Sequence, residues 1–173
     1  MTILPIRRFG DPILRQPSQD VETFDEFLVR LYHDMVETMY EAPGVGLAAP
    51  QVGVSLRFFV FDPRDGAGPH AVANPVLSGL EGEQEDEEGC LSIPGLWYST
   101  KRSFKARVDG LDLKGNSVSF EGEELVARIF QHETDHLAGT LFIDRLADGD
   151  RRRALAEIRR QELGGNGEAP RPN

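Results

Sequence analysis

The sequence contains very little cysteine. Cys90 is the only cysteine among 173 residues, and a lone cysteine cannot form a disulfide within the chain. Its value must therefore lie in packing, in reactivity or in metal ligation. A chain of this length fits one domain and can bury a core without disulfide bonds.

Long apolar runs and positive charge are also scarce. No run approaches the roughly 18 apolar residues that span a bilayer, and the N-terminus lacks the apolar stretch of a secretory signal. Lysine and arginine total 19 against 29 acidic residues, which gives a formal net charge of −10. A protein that neutralises DNA phosphates needs the opposite balance. We therefore expect a cytoplasmic protein that binds neither membranes nor DNA.

The sequence does contain a motif with a specific chemistry, the H-E-x-x-H pattern of His132, Glu133 and His136. Side chains four residues apart lie on the same face of an α-helix, so both imidazoles can reach one metal ion. Glu133 would lie beside that ion without being a ligand, where it can act as a general base toward a water that the metal activates. The motif therefore indicates hydrolysis.

The residues around this motif have the pattern of a half-buried helix. Apolar side chains recur at helical spacing, namely Leu125, Val126, Ile129, Phe130 and Leu137. The glutamates at 121, 123 and 124 fit the start of a helix, where the helix dipole favours negative charge, and Gly139 fits its end. This context favours a metal site over a chance match.

The two histidines leave a third ligand to be found, because a catalytic site of the zinc type has three protein ligands and an open position for water. The longer H-E-x-x-H-x-x-G-x-x-H motif would place a histidine where this chain has Phe142. The residues alone leave two candidates, Glu157 in an arginine-rich segment and Cys90. A thiolate is the stronger donor.

Periodicity and turn residues predict short elements on either side of the metal helix. An amphipathic helix should begin near Phe24 and end before Pro43, preceded by an arm with one short helical turn at 12–15. The predicted strands are 56–61, 71–77, 104–108, 111–113 and 118–120. We expect turns at Asp109-Gly110 and 114–116, an interruption at Asn74-Pro75, a solvated acidic hairpin face at 81–88 and a polar helix at 151–163.

A glycine-rich stretch follows the first helix, at residues 44–53. Its G-x-G-x-x-A order matches part of a dinucleotide-binding loop, but such a loop needs a strand before it and a crossover helix after it. Neither is predicted here, so the stretch indicates backbone that closely approaches another group. Gln51 is its one side chain able to hydrogen-bond, and a single glutamine of this kind is more often structural.

Three segments together resemble the signature motifs of the peptide deformylase family. They are G-V-G-L-A-A-P-Q at 44–51, E-G-C-L-S at 88–92 and Q-H-E-T-D-H-L-A-G at 131–139. Smaller likenesses extend the resemblance over about residues 3–146. It implies an enzyme that hydrolyses the N-terminal formyl group of formyl-methionine on newly synthesised polypeptides. The sequence departs from the family pattern at 95–98, which leaves the peptide contacts beyond the methionine open.

The resemblance also implies a role for each matching residue. The metal ligands would be Cys90, His132 and His136, and Glu133 would be the general base. The oxyanion of the tetrahedral intermediate would be stabilised by Gln51 and the backbone N–H of Leu91.

Further residues of the motifs would contact the substrate or support the ligands. The backbone of Val45, Gly46 and Gly89 would pair with an extended peptide. The methionine pocket would be lined by Val45, Ile129 and His132. Glu88 and Arg102 would form a supporting ion pair behind the cysteine loop.

The implied fold class is α+β, with short, mostly antiparallel strands packed around the central HExxH helix. Residues 1–150 would form a single catalytic domain, and residues 151–173 a polar helix with a disordered tail. The resemblance implies one Fe²⁺ per chain, although two imidazoles and a thiolate also suit Zn²⁺, and purified protein could carry Zn²⁺ or Ni²⁺.

The implied partners are nascent formylated polypeptides. Five arginines between positions 151 and 160 also suggest a contact with the ribosome near the point where the substrate emerges. Two other functions remain open. One is a peptidase, which would cleave internal peptide bonds, and the other is a non-catalytic formyl-peptide binder, which would have no use for Glu133.

Overall fold

Seven strands and three α-helices form residues 2–164, the part of the chain that the computed structural model describes. The strands are β1 (Gly46–Ala48), β2 (Phe58–Phe61), β3 (His70–Glu81), β4 (Gln84–Cys90), β5 (Ile93–Arg102), β6 (Lys105–Leu111) and β7 (Ser117–Glu123). The α-helices are α1 (Glu26–Glu41), α2 (Glu124–Leu137) and α3 (Asp148–Gly164). Short 3-10 helices occupy Pro12–Arg15, Ala49–Val52 and Phe142–Arg145. The predicted α+β class is confirmed.

The strands form two separate antiparallel sheets. Five of them pair in the order β1-β2-β3-β6-β7, so β1 is an edge strand. The remaining two, β4 and β5, form a hairpin of their own. The predicted interruption at Asn74-Pro75 is a bulge in β3, where the register with β6 shifts. Asn74 adopts a φ of 51° there, and its side chain hydrogen-bonds both backbone groups of Val21.

Helix α1 follows from a capping residue and an apolar stripe. The Asp25 carboxylate accepts hydrogen bonds from the N–H groups of Phe27 and Leu28, which have no partner within the helix. The apolar face is buried and consists of Leu28, Leu31, Met35 and Met39. The helix ends at Glu41, ahead of Pro43, as the sequence predicts.

Helix α2 carries the H-E-x-x-H motif through the middle of the molecule. One side of the helix packs on the five-stranded sheet through Ala127, Phe130 and Leu137. Gly139 follows the helix with a φ of 74°, as expected for a helix end. The predicted start was only partly right, because Glu121 and Glu123 belong to β7 and Glu124 alone lies in the first turn.

Several features of the strands differ from the sequence-based predictions. Strand β1 was not predicted, and residues 111–113 do not form a strand of their own. Asp109-Gly110 is not a turn, since β6 continues through it to Leu111. A Cβ at Gly110 would lie 2.7 Å from the carbonyl oxygen of Ala73, so this glycine marks the close approach of β3. Strand β5 was not predicted, although the acidic strand that it pairs with is the expected hairpin face, with Glu85, Asp86 and Glu87 exposed.

Helix α3 packs on the side of the molecule that carries the β4-β5 hairpin. Its buried residues Ala154 and Ile158 join an apolar cluster with Ile93, Leu96 and Phe142. The predicted disordered tail begins at Gly164, which is instead the last residue of α3, and residues 165–173 lie outside the described residues. None of the described helices combines the length and the apolar character needed to cross a membrane.

Candidate metal centre

Three of the predicted ligand side chains meet in the interior. The Sγ atom of Cys90 lies 3.2 Å from Nε2 of His136, which in turn lies 3.2 Å from Nε2 of His132. All three side chains are buried. The histidines come from α2, and Cys90 comes from the last residue of β4. The structure therefore joins the helix to the hairpin at this cluster.

The spacing and chemistry of the three atoms fit a metal ion. Metal–nitrogen distances of about 2.0–2.1 Å and metal–sulfur distances of about 2.3 Å put the donor atoms of a tetrahedral site about 3.3–3.6 Å apart. The ligand atoms of Cys90, His132 and His136 all lie within 4.8 Å of one another. A thiolate and two imidazoles are also a donor set that divalent transition metals prefer.

Glu157, the alternative third ligand, is not part of this cluster. It lies on α3, where its carboxylate pairs with Arg160. Among residues 2–164, the side chain that joins the two histidines is that of Cys90.

Glu88 fixes the orientation of His132. Its Oε1 atom lies 2.6 Å from Nδ1 of the imidazole, which leaves Nε2 facing the cluster. Arg102 donates two hydrogen bonds to the same carboxylate, at 2.7 and 3.0 Å. Burial opposes ionisation of Glu88, but the hydrogen bonds from His132 and Arg102 hold the pKa of this carboxyl well below its usual range. A carboxylate behind a ligating histidine is a common arrangement in metal sites.

The Glu133 carboxylate lies beside the glycine-rich stretch. A Cβ at Gly46 would overlap Oε1 of Glu133 and lie 2.9 Å from its Cδ. This explains the close approach that the glycines predict. Burial raises the pKa of Glu133 to about 7, against the lowering effect of His132. Its Oε2 atom is buried and has no hydrogen-bond partner within the described part of the chain.

Gln51 connects the glycine-rich stretch to the cysteine. The 3-10 helix Ala49–Val52 carries it, and the N–H of Ala48 donates to its Oε1 at 2.9 Å. Its Nε2 atom then faces Ser92 Oγ at 3.2 Å and Cys90 Sγ at 3.6 Å. The side chain is therefore fixed with its N–H groups directed toward the cluster. Leu91 follows Cys90 at the tip of the hairpin, and its carbonyl accepts from Arg8 at 3.3 Å.

The residues expected to contact the substrate lie in two backbone segments and one apolar cluster. Gly46 belongs to β1, whose one strand partner in the described structure is β2. Gly89 lies on β4 opposite Trp97, and a Cβ at this glycine would lie 2.8 Å from the indole ring. Val45 and Ile129 belong to the same apolar cluster.

Sequence reasoning missed two charged residues that belong to the same network. Asp135 accepts from Arg102 at 2.6 Å and from Arg145 at 2.6 Å. Arg128 is buried and also donates to Glu88, at 2.7 Å. Both lie on α2 at positions three or four residues from His132, so their place on the same helical face was a usable signal.

Comparison with known proteins identifies the family. A sequence model of the family described as polypeptide deformylase matches residues 3–152. The chain belongs to this family. Its members are metal-dependent hydrolases that remove N-formyl groups from nascent polypeptides, and the cluster of Cys90, His132 and His136 is a site that can hold the metal ion.

Individual deformylases support the assignment over nearly the whole chain. The peptide deformylase of Acidothermus cellulolyticus is 53% identical over 165 residues, which cover 95% of this chain and 91% of that protein. The structure of a peptide deformylase from Legionella pneumophila has a TM-score of 0.88 at 43% identity and covers 94% of this chain and 96% of that one. The enzyme from Thermus thermophilus has a TM-score of 0.87 at 45% identity, covering 94% and 96%.

Proposed function

We propose that this deformylase hydrolyses the formyl group of formyl-methionine at a metal centre held by Cys90, His132 and His136, with Glu133 as the general base. The observation that carries the proposal is the meeting of three donor atoms next to a buried carboxylate, in which Nε2 of His136 lies 3.2 Å from both Sγ of Cys90 and Nε2 of His132. A divalent metal ion bound by three such ligands would keep a position open and lower the pKa of water there.

Glu133 moves the proton in this mechanism. Burial raises the pKa of this carboxyl above its ordinary value, which favours proton uptake and so suits a general base. The carboxylate would accept a proton from the attacking water and deliver it to the amine that leaves. Gly46 makes room for it, because any side chain at this position would overlap the carboxylate.

Two donors would stabilise the negative charge that develops on the formyl oxygen. One is Nε2 of Gln51, whose direction is set by the hydrogen bond between its Oε1 and the N–H of Ala48. The other is the backbone N–H of Leu91, the residue after Cys90. Donors that are fixed before the reaction need no rearrangement in the transition state, which is why each is worth roughly 10²- to 10³-fold in rate.

The peptide would bind as an extended strand. The free edge of β1 at Gly46 supports this, since unpaired strand edges readily accept another strand. Val45 comes directly before the strand, and its carbonyl accepts from the N–H of Asp62. Gly89 would pair with the other side of the peptide. Val45, Ile129 and His132 would line the methionine pocket, and the shared apolar cluster of Val45 and Ile129 supports that assignment.

Fe²⁺ is the ion that we assign to the site. The donor set suits zinc equally well, so the choice follows from the family resemblance noted above rather than from ligand type. Zn²⁺ or Ni²⁺ would occupy the same three ligands in purified protein.

We also infer that residues 1–150 carry the catalysis in the cytoplasm and that the arginines of α3 contact the ribosome. Within residues 2–164, Arg152 and Arg159 form no ion pair, whereas Arg151, Arg153 and Arg160 each pair with a nearby carboxylate. The two unpaired guanidinium groups are the ones available for RNA phosphates. Arg152→Glu with Arg159→Glu should reduce co-sedimentation with ribosomes, and unchanged co-sedimentation would reject the contact.

The proposed reaction is tested with a matched pair of peptides. Formyl-Met-Ala-Ser should yield formate and free Met-Ala-Ser, while Met-Ala-Ser itself should remain intact. Cleavage of the Met-Ala bond in either peptide would indicate a peptidase. Binding of the formylated peptide without formate release would indicate a non-catalytic binder.

A further inference from the structure

The geometry of the metal centre depends on how the β4-β5 hairpin sits on α2. The hairpin supplies Cys90, whereas α2 supplies both histidines. Since the hairpin is not part of the five-stranded sheet, the sheet's hydrogen bonds cannot set the distance between the sulfur and the imidazoles. That distance depends on contacts that the hairpin makes with the rest of the protein, among them the side-chain contacts with α2.

Four donated hydrogen bonds converge on Glu88 of the hairpin. Oε1 accepts from Nδ1 of His132 at 2.6 Å and from Nη2 of Arg102 at 2.7 Å. Oε2 accepts from Nε of Arg102 at 3.0 Å and from Nη1 of Arg128 at 2.7 Å. The carboxylate has about four acceptor positions, so it is fully occupied. Its orientation, and with it that of His132, depends on all three donor residues.

Arg102 and Arg128 hold Glu88 in different ways. Arg102 lies on β5 and therefore belongs to the hairpin, although its Nη1 also reaches Asp135 on α2. Arg128 lies on α2, one turn before His132. Its Nη1 atom donates to Glu88 on β4 and to the carbonyl oxygen of Thr100 on β5, at 2.9 Å. One atom of the helix thus contacts both strands of the hairpin.

Burial of Arg128 is hard to explain by packing. The residue is only 6% exposed, and its Nη2 atom is buried without a hydrogen-bond partner among residues 2–164. A buried donor left unpaired destabilises the folded state. An apolar side chain of similar size would avoid that cost, which points to a role that depends on the guanidinium itself.

We propose that Arg128 is a positioning residue for the metal centre. It holds the helix and the hairpin in the register that brings Cys90 to the two histidines, and it fixes the carboxylate that orients His132. This inference rests on the proposed metal centre and adds a residue that touches neither the metal nor the substrate.

The test compares Co²⁺-loaded proteins, because the visible spectrum of Co²⁺ reports ligand geometry and a thiolate-to-cobalt band reports the sulfur. Arg128→Met removes the guanidinium at similar length, and Arg128→Lys restores a charged donor. Arg107→Met is the matched control, since Arg107 is an exposed residue of β6 that pairs with Asp109. The readouts are the spectrum and the rate of Co²⁺ loss to a chelator.

We expect Arg128→Met to lose Co²⁺ roughly 10- to 100-fold faster than the parent, as is typical when a residue behind a metal ligand is replaced, and to shift the visible bands. The rate of Co²⁺ loss from Arg128→Lys should lie between those of Arg128→Met and the parent, and Arg107→Met should have the rate and the spectrum of the parent. A folded Arg128→Met protein with the parent spectrum and a release rate within about twofold of the parent would overturn the proposal.

Two further outcomes are also decisive. If Arg128→Met does not fold, the Arg128→Lys variant decides the question. Loss of Co²⁺ from Arg128→Lys as slow as from the parent would show that the guanidinium is not needed and would overturn the proposal. If the parent protein shows no thiolate-to-cobalt band, the proposed metal centre itself is wrong and this inference falls with it. If only the role assigned to Arg128 is wrong, the parent protein still shows the thiolate-to-cobalt band.

Discussion

The Glu133 carboxylate packs directly against the Cα of Gly46, so that a methyl group at position 46 would overlap Oε1 and lie 2.9 Å from Cδ. One residue comes from α2 and the other from β1, the strand proposed to bind the substrate. The proposed general base and the backbone proposed to bind the substrate are therefore in contact before any peptide binds.

Gly46→Ala tests this contact. The methyl group should push the carboxylate away from its working position, and a displacement of about 1 Å can lower a rate roughly 10²-fold. Metal content should not change, since none of the three ligands is touched. Gly149→Ala is the matched control, because no atom lies within 4 Å of a Cβ at that position. Equal rates of formate release for the two variants would contradict the argument.

Cys90→Ser tests the third ligand. A serine hydroxyl is a much poorer donor than a thiolate for transition metals, so the purified variant should retain little metal and release no measurable formate. Glu157→Gln, on the surface helix α3, should leave metal content and activity unchanged. The reverse pattern would indicate that the third ligand is Glu157 on α3. The measurements are the metal content and the rate of formate release of both variants at equal protein concentration.

Tyr40→Phe tests a polar contact beside the glycine-rich stretch. The Tyr40 hydroxyl donates to Asp62 at 2.6 Å, and the hydrogen bonds from Tyr40 and from the N–H of Arg64 lower the pKa of Asp62 below its usual 3.8. A carboxyl whose pKa is lower in the folded state stabilises the protein above its unfolded pKa and loses that contribution as the pH falls through the folded pKa.

We therefore expect Tyr40→Phe to lower the free energy of unfolding by about 1 kcal/mol near neutral pH, with a smaller difference from the parent below about pH 4. Urea unfolding of the metal-free proteins at both pH values gives the measurement. Tyr32→Phe is the control, because the Tyr32 hydroxyl donates to the uncharged carbonyl of Pro69, so its effect should not depend on pH in this range. A loss of equal size at both pH values for Tyr40→Phe would argue against the ionised acceptor.

The choice of ion makes a prediction about lifetime in air. A site that admits water and a formyl group also admits oxygen or peroxide, and a coordinated thiolate is readily oxidised. Cys90 has no second cysteine with which to form a protective disulfide. Activity in air should fall over hours for Fe²⁺-loaded protein and persist for the Ni²⁺ form. We would abandon iron if the Fe²⁺ form were stable in air, or if the Zn²⁺ form matched the rate of the anaerobic Fe²⁺ form.

The helices and the histidine pair could be predicted from the sequence because their signals are local. The apolar stripe of α1 and the H-E-x-x-H spacing on α2 each lie within a few turns of one helix. Gly139 marks the end of α2 by the same kind of local rule. Such features depend little on the rest of the fold.

Strand β5 could not be predicted because the buried side of its second half is polar. Thr100 and Arg102 are buried while Ser99 and Lys101 are exposed, so the alternation is real but does not appear as alternation of hydropathy. The error at Asp109-Gly110 has a related cause. The pair has the composition of a turn, yet the glycine is required because β3 approaches it closely. Strand β3 lies far from Gly110 in the sequence, so the residues around Gly110 do not reveal this contact.

Arg128 shows the same limit within the site. An arginine in an amphipathic helix is usually solvated, and its partner Glu88 lies 40 residues away in the sequence. The helical spacing of four from His132 pointed to the right face. Arg128 is buried because the β4-β5 hairpin packs against α2, and the sequence around Arg128 does not show that contact.

The most direct test of the account is Glu133→Gln, measured for metal content and formate release on the same preparation. The amide has the size of the carboxylate but cannot accept a proton from water, so the variant should fold, bind a full complement of metal and lose roughly 10²- to 10⁴-fold in kcat. If the Glu133→Gln protein binds its metal and still releases formate at close to the parent rate, Glu133 is not the general base and the proposed mechanism is wrong.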